Sequence, residues 1–269
     1  MARWGFIGGG KMAEALLRGG LAAGILKPQE VLISTPGKDR QEYLRKTYGV
    51  AAFFDNPRLV RECETVVLAV KPQVLSGVLE EIREAARKHR PLFISVVAGF
   101  PLERLKAGLG GVERLVRVMP NTPALVLSGV SALCKAPETP EEDLSRAEAL
   151  FSALGEVVRV PEALFDAVTG LSGSGPAYVF AFIEALVDGG VREGLSREVA
   201  ERLAVGTVLG AARLMKETGK DPYALKAMVT SPGGTTIAGL KALADRGFHG
   251  AVMEAVAAAT RRARELSGG

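Results

Sequence analysis

Short apolar runs alternate with amphipathic stretches through the first 160 residues, and this constrains the fold more than any other property of the chain. Residues 3–7, 31–34, 50–53, 65–70, 92–97 and 114–118 read as strands with little polar alternation. Helical spacing fills the intervals at 11–19, 41–48, 75–88 and 102–108. Strands apolar on both faces and separated by helices predict a parallel, doubly wound α/β sheet covered on both sides. Runs at 131–134 and 157–160, flanking a helix at 141–154, predict an extension of that sheet. After Val160 the alternation stops. Residues 162–169, 176–193, 197–217, 222–230, 236–245 and 250–266 all carry helical periodicity. An α/β domain over 1–160 and an all-helical domain over 161–269 are therefore expected.

The first strand runs into Gly8-Gly9-Gly10, and a helix opens at Lys11. Gly8, Gly10 and Ala13 fit G-x-G-x-x-A: a tight turn, close approach of a pyrophosphate, and close helix–strand packing. The phosphates would rest on the helix N-terminus. The strand–loop–helix context makes this a Rossmann nucleotide site, with Ile7, Gly8, Gly9, Gly10, Lys11 and Met12 as cofactor-binding candidates.

Ligands of open α/β sheets lie at the carboxyl ends of the strands. That rule adds Ser34, Thr35, Asn56, Val70, Lys71 and Ala98 as cofactor contacts. The second strand ends in Ser34-Thr35-Pro36-Gly37-Lys38-Asp39-Arg40, without the carboxylate that binds the ribose of NAD. Hydroxyls and two cations there favour the 2′-phosphate of NADPH, with NADH as the alternative donor.

In the second half, Ser231-Pro232-Gly233-Gly234-Thr235-Thr236 precedes a helix. Glycine tolerates positive φ, so successive N–H groups can converge, and a helix start adds its positive dipole end. A carboxylate would fit, with threonine hydroxyls beside it. A helix N-cap with glycines for tight packing is the alternative. A second glycine-rich segment, Leu171-Ser172-Gly173-Ser174-Gly175-Pro176, reads as another loop before a helix.

Composition removes other classes. Apolar residues make up 48% of 269, and 34 Lys and Arg oppose 30 Asp and Glu, a net charge of +4 without a basic-aromatic stripe. No nucleic-acid surface is indicated. Cys63 and Cys134 form no CxxC pattern, and His89 and His249 lack metal-ligand spacing, so reduced buried thiols and no metal site are expected. The apolar helix at 177–187, interrupted by Glu184 and Asp188, reads as a buried helix too short to cross a bilayer. No signal segment precedes the first strand, which suits a cytoplasmic enzyme. The alanine-rich helices after residue 161 carry more apolar surface than they can cover alone, which predicts dimerisation.

The ordered set of these motifs closely resembles the pyrroline-5-carboxylate reductase family over nearly the whole length. It rests on residues 5–13, 68–72 (Leu-Ala-Val-Lys-Pro), 119–123 (Met-Pro-Asn-Thr-Pro), 171–178 and 231–236. The resemblance implies NADPH or NADH as hydride donor, a Rossmann domain joined to a helical dimerisation domain, and homodimers that can assemble into decamers. It also implies an active site shared between subunits. The substrate is a cyclic imine with one carboxylate, 1-pyrroline-5-carboxylate, reduced to L-proline. Ser231, Gly233, Gly234 and Thr235 would hold the carboxylate and Thr236 would orient the ring nitrogen. Glu162 is brought near the substrate by the same resemblance, although a helix cap explains it as well. Many relatives carry Asn-Arg where this chain has Thr35-Pro36, so its 2′-phosphate contact must differ. A β-hydroxyacid dehydrogenase shares the opening loop but needs a proton-shuttling lysine, and 176–191 contains none. A non-catalytic NADPH-binding module would need no second anion pocket.

Overall fold

The structure, a computed structural model, describes residues 2–268, with side chains from Trp4 onward. Eight strands form one sheet: β1 (Ala2–Ile7), β2 (Val31–Ser34), β3 (Ala51–Phe53), β4 (Cys63–Leu68), β5 (Leu92–Ser95), β6 (Leu115–Pro120), β7 (Gly129–Lys135) and β8 (Gly155–Arg159). Their order is β3-β2-β1-β4-β5-β6-β7-β8. The helices of this part are α1 (Lys11–Ala22), α2 (Lys38–Tyr48), α3 (Asn56–Glu62), α4 (Pro72–His89), α5 (Leu102–Gly108), α6 (Glu141–Ser152) and α7 (Phe165–Val168).

Successive strand residues feed opposite faces, because side chains alternate with a period of two. Phe6, Ile33, Val67, Ile94 and Val116 join Leu16, Leu17, Leu150 and Phe151 on one side. Ile7, Val66, Leu68 and Phe93 join Leu75, Leu79 and Ile82 on the other. The apolar positions of α4 recur at helical spacing, which buries one stripe against the sheet. Arg114 grips the fully buried carboxylate of Asp143 with two nitrogens at 2.7 Å and so ties α6 to the start of β6.

Two sequence expectations are corrected here. The pairing is parallel from β3 to β6, but β7 runs antiparallel to β6 and only then parallel to β8. The expected loop at 171–176 is also helical: 169–173 forms a wide π-type turn that leads directly into α8 (Gly175–Arg192).

Four further helices follow: α9 (Arg197–Thr218), α10 (Pro222–Met228), α11 (Thr235–Asp245) and α12 (Phe248–Ser267). The chain divides by internal contacts into residues up to Gly173 together with Ala258 onward, and Ser174–Ala257. The composition change at residue 161 lies some way before that division. Within the second unit, Val187, Ala200 and Ala204 form a small buried cluster where α8 meets α9. Helix α8, expected to be buried, exposes Val179, Phe180, Phe182 and Leu186 in the single chain. The segment Glu162–Arg192 is long and apolar enough by length and composition to cross a membrane.

Candidate active site

The carboxyl ends of β2, β1, β4 and β5 lie in one row, with Ser34, Ile7, Leu68 and Ser95 aligned in register. The chain crosses from β1 outward to β2 on one side, while β4 lies on the other, so the loop after β1 sits where strand order reverses. Such a reversal opens a crevice at the strand ends. Gly8 has φ +103°, and its N–H donates to the Ser34 carbonyl at 2.8 Å. A Cβ on Gly8 would stand 2.5 Å from the Ala69 carbonyl oxygen, so the backbone of β1 and the chain after β4 touch there. A Cβ on Gly9 would press against Thr35 at 3.0 Å. Gly10 differs: nothing lies within 4 Å of its would-be Cβ, and it starts α1 without a side-chain cap. The N–H groups from Gly9 to Ala13 find no acceptor among the described residues. Unpaired amides and the positive end of a helix dipole thus face open space.

The other candidates on this edge fall into two groups. Val70, Lys71 and Ala98 are partly or wholly exposed, and Lys71 precedes α4 without a capping side chain. Ser34 and Thr35 are buried, at 1% and 6% exposure. The Ser34 hydroxyl accepts the Asp55 N–H at 3.1 Å, so that oxygen already has a partner inside the fold. Of the two cations after β2, Arg40 is held by Glu14, whereas Lys38 is exposed at the uncapped start of α2. Asn56 is 3% exposed, and its Nδ2 donates to the Glu81 carboxylate at 2.7 Å. Its Oδ1 is buried without a protein partner. A carboxylate can only accept, so the amide orientation is set and the lone oxygen is an acceptor in search of a donor.

In the second unit, the Gly234 N–H closes a turn onto the Ser231 carbonyl at 3.1 Å. Pro232 and Gly233 occupy its middle, and Gly233 has φ +66°, the pattern of a type II turn. Gly234 then starts α11 without a side-chain cap, and a Cβ there would strike the Ser231 hydroxyl. Its N–H being used in the turn, the free donors include those of Gly233, Thr235 and Thr236, which have no acceptor among the described residues. Ser231, Gly233, Gly234, Thr235 and Thr236 are thus gathered on one helix start.

Glu162 is placed differently. Its Oε1 accepts the Leu102 N–H at 2.7 Å and Arg117 Nη1 at 3.0 Å, and that guanidinium lies 4.7 Å from the Phe165 ring centre. Cys63 and Cys134 are free and buried, and burial pushes both thiols up to about 12.

A pyrroline-5-carboxylate reductase from a Synechocystis species is 50% identical over 262 residues, covering 97% of each chain. This chain belongs to the pyrroline-5-carboxylate reductase family. The family model for pyrroline-5-carboxylate reductase dimerisation matches residues 162–266, and one described as NADP oxidoreductase coenzyme F420-dependent matches 3–99. Among solved structures, a pyrroline-5-carboxylate reductase from Coxiella burnetii superposes with a TM-score of 0.93 at 36% identity, covering 99% of this chain and 98% of its own. A pyrroline carboxylate reductase from Plasmodium falciparum, with NADP bound, gives 0.87 at 34% identity with the same coverage. The architecture is that of these reductases: a Rossmann-like sheet followed by a helical dimerisation domain. The reductase is an oxidoreductase that uses a nicotinamide cofactor.

Sequence reasoning overlooked Glu14, Tyr43, Tyr48 and Arg117. Glu14 and Tyr43 sit on different helices, and nothing in either helix's periodicity marks them as partners.

Proposed function

We propose that this reductase transfers a hydride from NADPH to the imine carbon of 1-pyrroline-5-carboxylate, yielding L-proline in the last step of proline biosynthesis. The observation that carries the reading is a pair of uncapped, glycine-bounded helix starts, at Gly8 to Lys11 and at Ser231 to Thr235. Each offers backbone donors to an anion, one on a Rossmann edge and one on a helical unit. A dinucleotide pyrophosphate suits the first and a small carboxylate the second.

Ile7, Gly8, Gly9, Gly10, Lys11 and Met12 would hold the pyrophosphate. Ser34 and Thr35 shape the floor beside the ribose, and the buried Oδ1 of Asn56 would accept one of its hydroxyls. Val70, Lys71 and Ala98 would line the path along the strand ends. NADPH is favoured over NADH by the lack of a carboxylate at the tip of β2, by Lys38, and by the uncapped amides of α2. Bound there, the reduced nicotinamide supplies the hydride.

The chain supplies position. The N–H groups of Gly233, Thr235 and Thr236, with the Ser231 hydroxyl, would fix the substrate carboxylate, while Gly234 holds the turn's shape. The Thr236 hydroxyl would hydrogen-bond the ring nitrogen and orient the imine, which can arrive already protonated. Positioning of this kind contributes several kcal/mol to the barrier reduction. Glu162 enters as the group that holds Arg117 and the start of α5.

The exposed apolar faces of α8 and α9 fit a homodimer, with five dimers to a decamer, and account for the apolar segment Glu162–Arg192 without a membrane. Two buried free thiols fit the cytoplasm. The decisive assay follows NADPH absorbance with pyrroline-5-carboxylate, with a hydroxyacid and NADP in the reverse direction, and with no substrate. Oxidation of NADPH only with the imine supports the reading; turnover of the hydroxyacid, or of neither, overturns it.

A further inference from the structure

The pair Glu14 and Arg40 grips the glycine loop from outside the cofactor-binding set. Arg40 Nε donates to the Gly9 carbonyl at 2.5 Å, and its Nη2 to Glu14 Oε2 at 2.5 Å. Glu14 Oε1 accepts the Tyr43 hydroxyl at 2.7 Å and the Tyr48 hydroxyl at 2.9 Å. The guanidinium also lies 4.9 Å from the Tyr43 ring centre. A planar fork anchored at both ends keeps little freedom.

Three consecutive glycines, by contrast, have wide backbone freedom, so their peptide planes need an external hold. The Gly9 carbonyl and the Gly10 N–H belong to one trans peptide unit and point in opposite directions. Fixing the carbonyl on Arg40 therefore aims the Gly10 N–H away from it, on the side where that N–H has no acceptor among the described residues. A Cβ on Gly10 would meet nothing within 4 Å, so the residue is open to a ligand.

We propose that Arg40 is a positioning residue: anchored by Glu14, Tyr43 and Tyr48, it sets the Gly9–Gly10 peptide so that the Gly10 N–H faces the pyrophosphate of the bound dinucleotide. The proposal rests on the dinucleotide reading of the glycine loop. It also assigns Arg40 a task common to both cofactors. With the Glu14 carboxylate against it, the guanidinium is not a spare cation for the 2′-phosphate that distinguishes NADPH from NADH.

The test is calorimetric titration of NADPH, NADH and ADP-ribose into the wild-type enzyme and into Arg40→Met, Arg40→Lys and Glu14→Gln, with circular dichroism to verify folding. Arg40→Met is expected to weaken NADPH and NADH equally, by about tenfold, with ADP-ribose following. At saturating cofactor, kcat and the KM for the imine stay within about twofold, because only the loop has lost its hold. Arg40→Lys keeps the charge but cannot reach the Gly9 carbonyl and Glu14 together, so most of the loss persists. Glu14→Gln keeps an acceptor for the tyrosines and weakens both cofactors by about threefold. If Arg40→Met does not fold, the milder Glu14→Gln carries the test. A loss confined to NADPH, or full recovery with lysine, overturns the proposal in favour of a direct charge contact. Wild-type enzyme that binds none of the three would instead overturn the dinucleotide reading itself.

Discussion

Arg117 on β6 is paired at 3.0 Å with Glu162, and the oxygen that receives it also accepts the Leu102 N–H. The Arg117 side chain is 6% exposed and Glu162 32%, so the arginine depends on this carboxylate for its counter-charge. Glu162→Ala is expected to cost about 2 kcal/mol, less than a wholly buried pair because Glu162 still reaches solvent. Glu162→Gln, which keeps an acceptor, should cost about half as much. Urea midpoints measure both. An unmoved midpoint with a collapsed kcat would put Glu162 on the substrate instead.

Gly8 and Gly10 should respond to alanine in opposite ways. Gly8→Ala combines φ +103° with a Cβ 2.5 Å from the Ala69 carbonyl oxygen, so the folded state is strained by about 2 kcal/mol or more. Gly10→Ala meets no protein atom, so its Tm should hold while the methyl stands in the ligand's approach and raises the cofactor Kd by about tenfold. Thermal melts and cofactor titrations on the two variants distinguish strain from steric exclusion.

On the proposed role of the Thr236 hydroxyl at the ring nitrogen, Thr236→Ala should lower kcat by about tenfold or more, with Thr236→Ser recovering most of it. Steady-state rates at saturating NADPH report this, and unchanged turnover in the alanine variant would remove Thr236 from the reaction.

Acid and alkali should each loosen the Glu14 cluster. Burial pushes the Glu14 carboxyl up, but hydrogen bonds from Arg40, Tyr43 and Tyr48 outweigh it and hold the group below its ordinary value. A lowered carboxyl contributes stability that is present above its unfolded value, near pH 4.5, and lost as the pH falls through the folded one. The Tyr48 hydroxyl is pushed up to about 12, first by burial and then by its bond to Glu14. Its contribution is complete below pH 10 and disappears between 10 and about 12. Thermal melts against pH should show both limbs, and Glu14→Gln should flatten the acid one.

Phe180 and Leu209 are 65% and 67% exposed in the single chain. A glutamate at either should leave the helices formed yet shift sedimentation from dimer toward monomer, since a charge desolvated at an interface is costly. A variant that stays dimeric would move the interface elsewhere.

The parallel part of the sheet was legible because its strands are buried on both faces, as β2 and β5 are throughout, with only their last residues, Ser34 and Ser95, polar. The reversal at β7 was not, since that strand is mostly buried, like the parallel strands β2 and β5, and burial carries no direction. Residues 171–173 misled for a different reason: Ser172 and Gly173 signal a loop, yet a wide helical turn accepts the same residues. Apolar α8 was expected inside the chain, but its Phe180 and Phe182 lie on the outside, where sequence cannot say which molecule covers them. The Glu14–Arg40 contact joins residues 26 apart on two different helices, beyond any spacing rule. The turn at Ser231 was readable because proline and a left-handed glycine permit few backbone shapes.

The contact division returns the chain to its first unit at Ala258, where the Ser267 hydroxyl donates to the Asp166 carboxylate at 3.0 Å and Ala263 is buried. The helical unit is therefore spliced into its host instead of trailing from it. A fragment stopping at Gly173 would lack its own closing segment, whereas one that also kept 258–268 would retain both ends of the host, making excision of the insert the sounder route to an independent nucleotide-binding module.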